Sequence, residues 1–268
     1  MDTPVTAGAT GRMMRCMISR PLKLVGRREL FLFLAAYLVY SSSRHLAVGD
    51  LATAVGHADW IESLEDALSI NVEGAVQSAM SAGPVIWLLN HAYLAAQCVV
   101  LPGALIWLYK RDHAVYVKLR NTVLATWLIA IPIYAIYPTA PPRLAGIGIT
   151  DTITQGGGVR LDSSLTTSFY NPLAAVPSLH AGFALAVSFA LAASFRRRWA
   201  KALALAWAPL IALAVIATGN HFVFDIVAGF VVTVAGYVAG NAVDRHLAGR
   251  RAWRPVLQVS GGPDAAPA

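Results

Sequence analysis

Two histidines, an aspartate and an arginine sit at spacings that could support chemistry. His221 and Asp225 are four positions apart, so on a helix they share a face and the carboxylate can accept the imidazole N–H. That bond fixes the tautomer and leaves the other ring nitrogen as a nucleophile or base, the orienting logic of a catalytic triad. His180, in Pro177-Ser178-Leu179-His180-Ala181-Gly182, supplies a second imidazole suited to protonating a leaving oxygen near neutral pH. Pro177 fits a first helical turn, which would leave the amides of Ser178, Leu179 and His180 as donors for an anion. Arg143 ends the segment Tyr137-Pro138-Thr139-Ala140-Pro141-Pro142-Arg143, whose three prolines stiffen it, and its planar fork matches phosphate. The set predicts phosphoryl transfer without a metal, with Asn220 and His91 (beside Asn90 and Tyr93) as further candidates for the pocket wall.

These segments need a scaffold, and the composition indicates its kind. Of 268 residues 57% are hydrophobic and 13% charged, against about a quarter charged in a soluble domain. An ordinary cytosolic enzyme is excluded, as are a disordered chain and, with two cysteines, a disulfide-built secreted module. A bilayer crossing needs about 20 mostly apolar residues. Six runs qualify: Leu30 to Val48, Pro84 to Tyr109, Thr122 to Tyr137 (short unless it begins near Val115), Pro177 to Phe195, Ala202 to Thr218 and Val223 to Val243. The expected fold is an all-α, six-helix transmembrane bundle over residues 30–243. A cytoplasmic segment, 1–29, precedes it and a basic, disordered tail, 244–268, follows. No cleavable signal peptide is evident.

The net charge of +7 could suggest nucleic acid, but 18 of the 21 Lys and Arg fall before the first run, in every second loop, and after the last. That alternation is the positive-inside pattern, and it predicts cytoplasmic termini with the three polar segments together at the outer face of the cell membrane. Nucleic acid is not an expected partner. Between the first two runs lies an acidic stretch in which Trp60, Leu64 and Leu68, then Val72, Val76 and Met80, recur at helical spacing. It is expected to form short amphipathic outer helices with a packing or lid role, their acids mostly on other faces. Asp112 is expected to be a solvated charge. Gly156-Gly157-Gly158 lacks the Lys-Ser/Thr of a P-loop, and no spacing suggests a structural zinc site.

The polar segments resemble the signature motifs of the type 2 phosphatidic acid phosphatase superfamily, integral-membrane enzymes related in fold to vanadium haloperoxidases. Ala140-Pro141-Pro142-Arg143, Pro177 to Gly182 and His221 to Asp225 look most like the inositol phosphorylceramide synthase and inositolphosphotransferase branch. The resemblance implies that His221 attacks phosphorus to give a phosphohistidine, oriented by Asp225. It implies also that His180 protonates the departing oxygen and then activates the acceptor, that Arg143 and the Ser178–Leu179 region hold the phosphoryl oxygens, and that no cofactor or metal is needed. Two cations of the phosphatase form are missing, with Ile136 and Val215 at their positions, and Arg160 is a candidate replacement. Fewer cations suit a phosphodiester monoanion better than a monoester dianion.

The expectation is thus a lipid phosphate or phosphodiester substrate in the membrane, with a polyol such as inositol as acceptor in a head-group transferase, or water in a lipid phosphate phosphatase. A transporter or non-catalytic scaffold is the reading of another class, and it requires function to survive His221→Asn.

Overall fold

The computed structural model describes residues 29, 31–35, 38, 50–156 and 171–252, with side chains to residue 246. Residues 1–48 form one compact unit and residues 49–268 another. In the first, the described residues are helical and expose Phe31, Leu34 and Leu38. Most of the first expected span, Arg160 and most of the basic tail lie outside the described residues.

The regular structure among the second unit's described residues is helical, apart from one isolated bridge between Thr139 and Ala174. Its helices are α1 (Leu51–Ala67), α2 (Glu73–Ala79), α3 (Gly83–Ala95), α4 (Leu101–Arg111), α5 (His113–Ile136), α6 (Leu179–Ser194), α7 (Arg198–Ala217) and α8 (Val223–Ala252). A π turn, Ala96–Val100, joins α3 to α4, where Pro102 has no N–H to give the preceding turn. Four stretches are long and apolar enough to cross a bilayer: Gly83–Arg111, His113–Ile136, Arg198–Ala217 and Val223–His246. Helix α6 is apolar but has only 16 residues. Among the described residues there are therefore four such stretches where the sequence suggested six. The fourth expected run is shorter because Ser178, not Pro177, opens the helix. The third is longer because Asp112 is no solvated charge: its carboxylate accepts the Val115 amide and starts α5 a turn and more before Thr122.

Large apolar side chains such as Val99, Ile106, Leu128, Leu203, Val231 and Val234 face outward, as lipid contact requires. Where helices meet, small residues bring backbones close. A Cβ on Gly229 of α8 would collide with the Ser178 carbonyl, and one on Gly236 or Gly240 with the α5 backbone at Thr126 or Asn121.

The outer helices pack differently from expectation. Trp60 and Leu68 are more than half exposed, and the buried face of α1 is instead Ala54, Ala58, Ile61 and Glu65. The alanines allow close approach to Ala140, Val176 and Phe222, and the buried acid has a use at the end of α8.

Candidate active site

The end of α5, the start of α6 and the α7–α8 connection lie at one end of the bundle, and Lys110, Arg111 and Arg198 at the other. Backbone bonds tie the proline segment into this end. Thr139 donates to the Leu173 carbonyl (2.8 Å) and accepts from Ala175 (3.2 Å), Ala140 donates to Ala54 (3.0 Å), and Arg143 donates to Gly219 (3.0 Å). Gly219 has φ +71°, and a Cβ there would lie 2.8 Å from the Thr150 carbonyl and 3.3 Å from the Arg143 Cβ, so glycine is required.

This stitching delivers Arg143. Its side chain is 2% exposed, with Nε 3.3 Å from Asp151 Oδ2 and Nη1 donating to Asn220 Oδ1 at 2.8 Å. Asn220 in turn donates to Thr218 Oγ1 at 2.8 Å, which fixes its amide so that the oxygen faces the guanidinium. Asp151 also accepts the Ile153 and Thr154 amides of a single helical turn, Thr152–Gln155.

His221 Nδ1 lies 3.2 Å from Asp225 Oδ2, an oxygen that also accepts the Phe222 amide at 3.0 Å. A carboxylate acceptor selects the tautomer with the proton on Nδ1 and leaves Nε2 with its lone pair. Burial first, and the Arg143 guanidinium second, lower the His221 imidazolium to about 3, against an opposing effect of the Ala175 carbonyl, so the ring is neutral near pH 7. His180 stands opposite, its ring centroid 6.3 Å from that of His221. Tyr93 stacks on the far face of the set, 4.1 Å from His180 and within 14° of parallel. Helix α6 thus carries its imidazole in its first turn, wedged between an aromatic ring and the second histidine.

The structure brings His180, His221, Asp225, Arg143 and Asn220 together across 83 residues of chain. Three expected details differ. Pro177 precedes the helix, and its carbonyl accepts the Tyr134 hydroxyl at 2.7 Å. Ser178 is the cap: its hydroxyl accepts the Ala181 amide, and its own N–H donates to the Asp225 carbonyl at 3.0 Å. Ser178 therefore has no amide to offer an anion, and it welds α6 to α8 instead. The amides of Leu179 and His180, first in the helix, are the donors left by this arrangement. His91 is outside the cluster. It is exposed, bonds the Trp87 carbonyl of its own helix and lies tilted against the Trp87 ring, whereas Asn90 and Tyr93 turn inward. Ile136 is 81% exposed at the end of α5, and Val215 is buried in apolar packing with Tyr93 and Ala181. Among the described residues no group of three His, Cys, Asp or Glu side chains could hold a metal.

Sequence reasoning missed Asp151, Glu65 and Glu73. Glu65 had a signal: it continues the Ala54, Ala58, Ile61 stripe at spacings of four and three, so it belongs to the buried face of α1.

A helical bundle with bilayer-length apolar stretches and a buried His/His/Asp/Arg centre at one end defines a class of membrane protein with enzyme-like polar groups. The sequence profile of the PAP2 superfamily matches residues 59–239, well over half of the chain. The chain belongs to that superfamily and is an enzyme of it. No curated protein matches the chain. Among solved structures, the crystal structure of Aquifex aeolicus LpxE is similar, with a TM-score of 0.47 and 16% identity, covering 65% of this chain and 95% of that one.

Proposed function

We propose that the protein is a six-span integral-membrane phosphotransferase with cytoplasmic termini, acting through a phosphohistidine on a lipid phosphodiester at the outer leaflet. The observation that carries the reading is the buried His221–Asp225 pair facing His180, with Arg143 held beside it. In the first step the Nε2 lone pair of His221 attacks phosphorus, the bond from phosphorus to the lipid alkoxide oxygen breaks, and the protonated form of His180 gives that oxygen its proton. In the second step neutral His180 takes the proton of an acceptor hydroxyl. The hydroxyl oxygen bonds to phosphorus, and the N–P bond breaks to restore His221. Arg143 and the amides of Leu179 and His180 hold the non-bridging oxygens as charge develops on them.

A diester is favoured over a monoester by the charge of the site. Asp151 offsets part of the Arg143 charge, Ile136 faces outward and Val215 is packed in apolar surroundings. A second lipid alcohol as acceptor receives the head-group phosphate and gives a head-group transferase of the inositol phosphorylceramide synthase kind. An inositol-type alcohol as acceptor carries the same group away in a soluble diester, and on a lipid phosphate monoester the same steps with water give a lipid phosphate phosphatase.

The test is incubation of the protein in lipid nanodiscs with head-group-labelled and phosphorus-labelled lipids, with and without inositol, in chelator. Label passed to inositol or a second lipid alcohol supports transfer, and label released to water supports the phosphatase. Strong turnover of monoesters with none of diesters refutes the diester assignment. Absence of turnover on both, with no effect of vanadate, refutes the reading altogether.

A further inference from the structure

The first amides of α8 follow His221 directly, and three different carboxylates take them in succession. Phe222 donates to Asp225 at 3.0 Å, Val223 to Glu73 Oε1 at 2.9 Å, and Phe224 to Glu65 Oε1 at 2.6 Å. The two glutamates reach this end from α2 and α1, 150 and 159 residues away in sequence, and both are buried, at 1% and 0% exposure. Burying two acids is costly unless they are bonded. The unpaired N–H groups and positive end of a helix N-terminus are the partners that repay it.

We propose that Glu65 and Glu73 are positioning residues, clamping the first turn of α8 so that Asp225 and His221 keep the register that holds the proton on Nδ1 of His221. This rests on the phosphotransferase reading for its catalytic consequence, but the clamp itself is a matter of geometry. The two acids have unequal tasks. Glu73 uses both oxygens as acceptors, Oε2 taking the Val72 amide at 3.0 Å. Glu65 uses one, and its buried Oε2 meets no donor among the described residues. Burial and the neighbouring Glu73 raise the Glu65 carboxyl above its ordinary range, in keeping with a protonated Oε2 that donates to Glu73.

A glutamine at 65 can imitate that protonated acid, with its oxygen toward Phe224 and its NH2 toward Glu73. A glutamine at 73 cannot, because its NH2 must face either the Val72 or the Val223 amide. The test compares full-length Glu65→Gln, Glu65→Ala and Glu73→Gln in nanodiscs, each checked for a monodisperse, cooperatively melting protein. Glu65→Gln should keep kcat within about threefold. Glu73→Gln and Glu65→Ala should lose roughly 10- to 100-fold in kcat with KM little changed, the scale of a small misplacement of a catalytic group.

The second readout is the nitrogen-15 spectrum of His221, assigned by subtraction of the His221→Asn spectrum. Wild type and Glu65→Gln should carry the proton on Nδ1, and the two slow variants should divide it between both nitrogens. Wild-type kcat in Glu73→Gln, a Glu65→Gln as slow as Glu65→Ala, or slow variants whose His221 signal is unchanged would each overturn the clamp. A wild-type protein without turnover would count against the phosphotransferase reading alone, since the spectrum reports the clamp without it.

Discussion

Replacing Asp225 by asparagine preserves volume but removes the negative charge beside Nδ1 of His221 and turns one of the two carboxylate oxygens into a donor, so it isolates the contribution of the orienting carboxylate. Asp225 Oδ2 receives both Nδ1 at 3.2 Å and the Phe222 amide at 3.0 Å, while Oδ1 is buried with no partner among the described residues. An asparagine oxygen placed at Oδ2 puts the NH2 in the Oδ1 position, leaving a buried donor unsatisfied at a cost of roughly 1–3 kcal/mol. The flipped amide instead points NH2 at two donors, which relaxes only if His221 moves its proton to Nε2, the attacking atom. The orienting carboxylate of a triad is worth about 10³–10⁴ in rate, or about 4–5.5 kcal/mol of barrier, and a loss of that size is expected in kcat. Rapid-quench measurement of N–P bond formation on labelled lipid reads it directly. Vanadate affinity should change little, because Arg143 and the α6 amides remain. A rate within tenfold of wild type would refute the orienting role.

Gly229→Ala should destabilise the fold by about 1–3 kcal/mol or more, read as a lower melting temperature in detergent, since its Cβ meets the backbone of Ser178; an unchanged melt would mean that α6 and α8 are not welded there. Asp151→Asn keeps the capping role but releases Arg143 from its carboxylate, so turnover of monoesters relative to diesters should rise roughly fivefold. The His221 pKa falls from 6.5 to about 3 on folding, so below 6.5 the unfolded chain binds a proton that the folded one refuses. Stability from this residue is present above 6.5 and is lost as pH falls toward 3; urea titrations should show a shallower acid loss in His221→Asn, and parallel curves would contradict the assignment.

The helical, membrane-suited character of the chain was legible because long apolar runs carry it without any tertiary information. Where a run begins was less so: α5 starts at His113 because the Asp112 side chain caps it, and α6 starts at Leu179 because Ser178 does. Each is a single hydrogen bond that hydropathy averages away. The convergence of His180, His221, Asp225 and Arg143 followed from placing three polar segments at the same end of successive runs, and only the stitching of Thr139, Ala140 and Arg143 to their partners had to come from coordinates. Side-chain direction was harder. His91 and Tyr93 are neighbours in sequence, yet one faces out and the other stacks on His180. Glu65 and Glu73 read as surface acids because acids are seldom buried, and their partners are backbone amides that a sequence does not display.

The central claim is that Nε2 of His221 becomes bonded to phosphorus. Phosphorus-labelled lipid should be mixed with the protein in nanodiscs, quenched in alkali, digested and mapped by mass spectrometry. Acid-labile, alkali-stable label on the peptide bearing His221, lost in His221→Asn, is the result expected. Label on any other residue, or turnover in His221→Asn at the wild-type rate, would contradict the account.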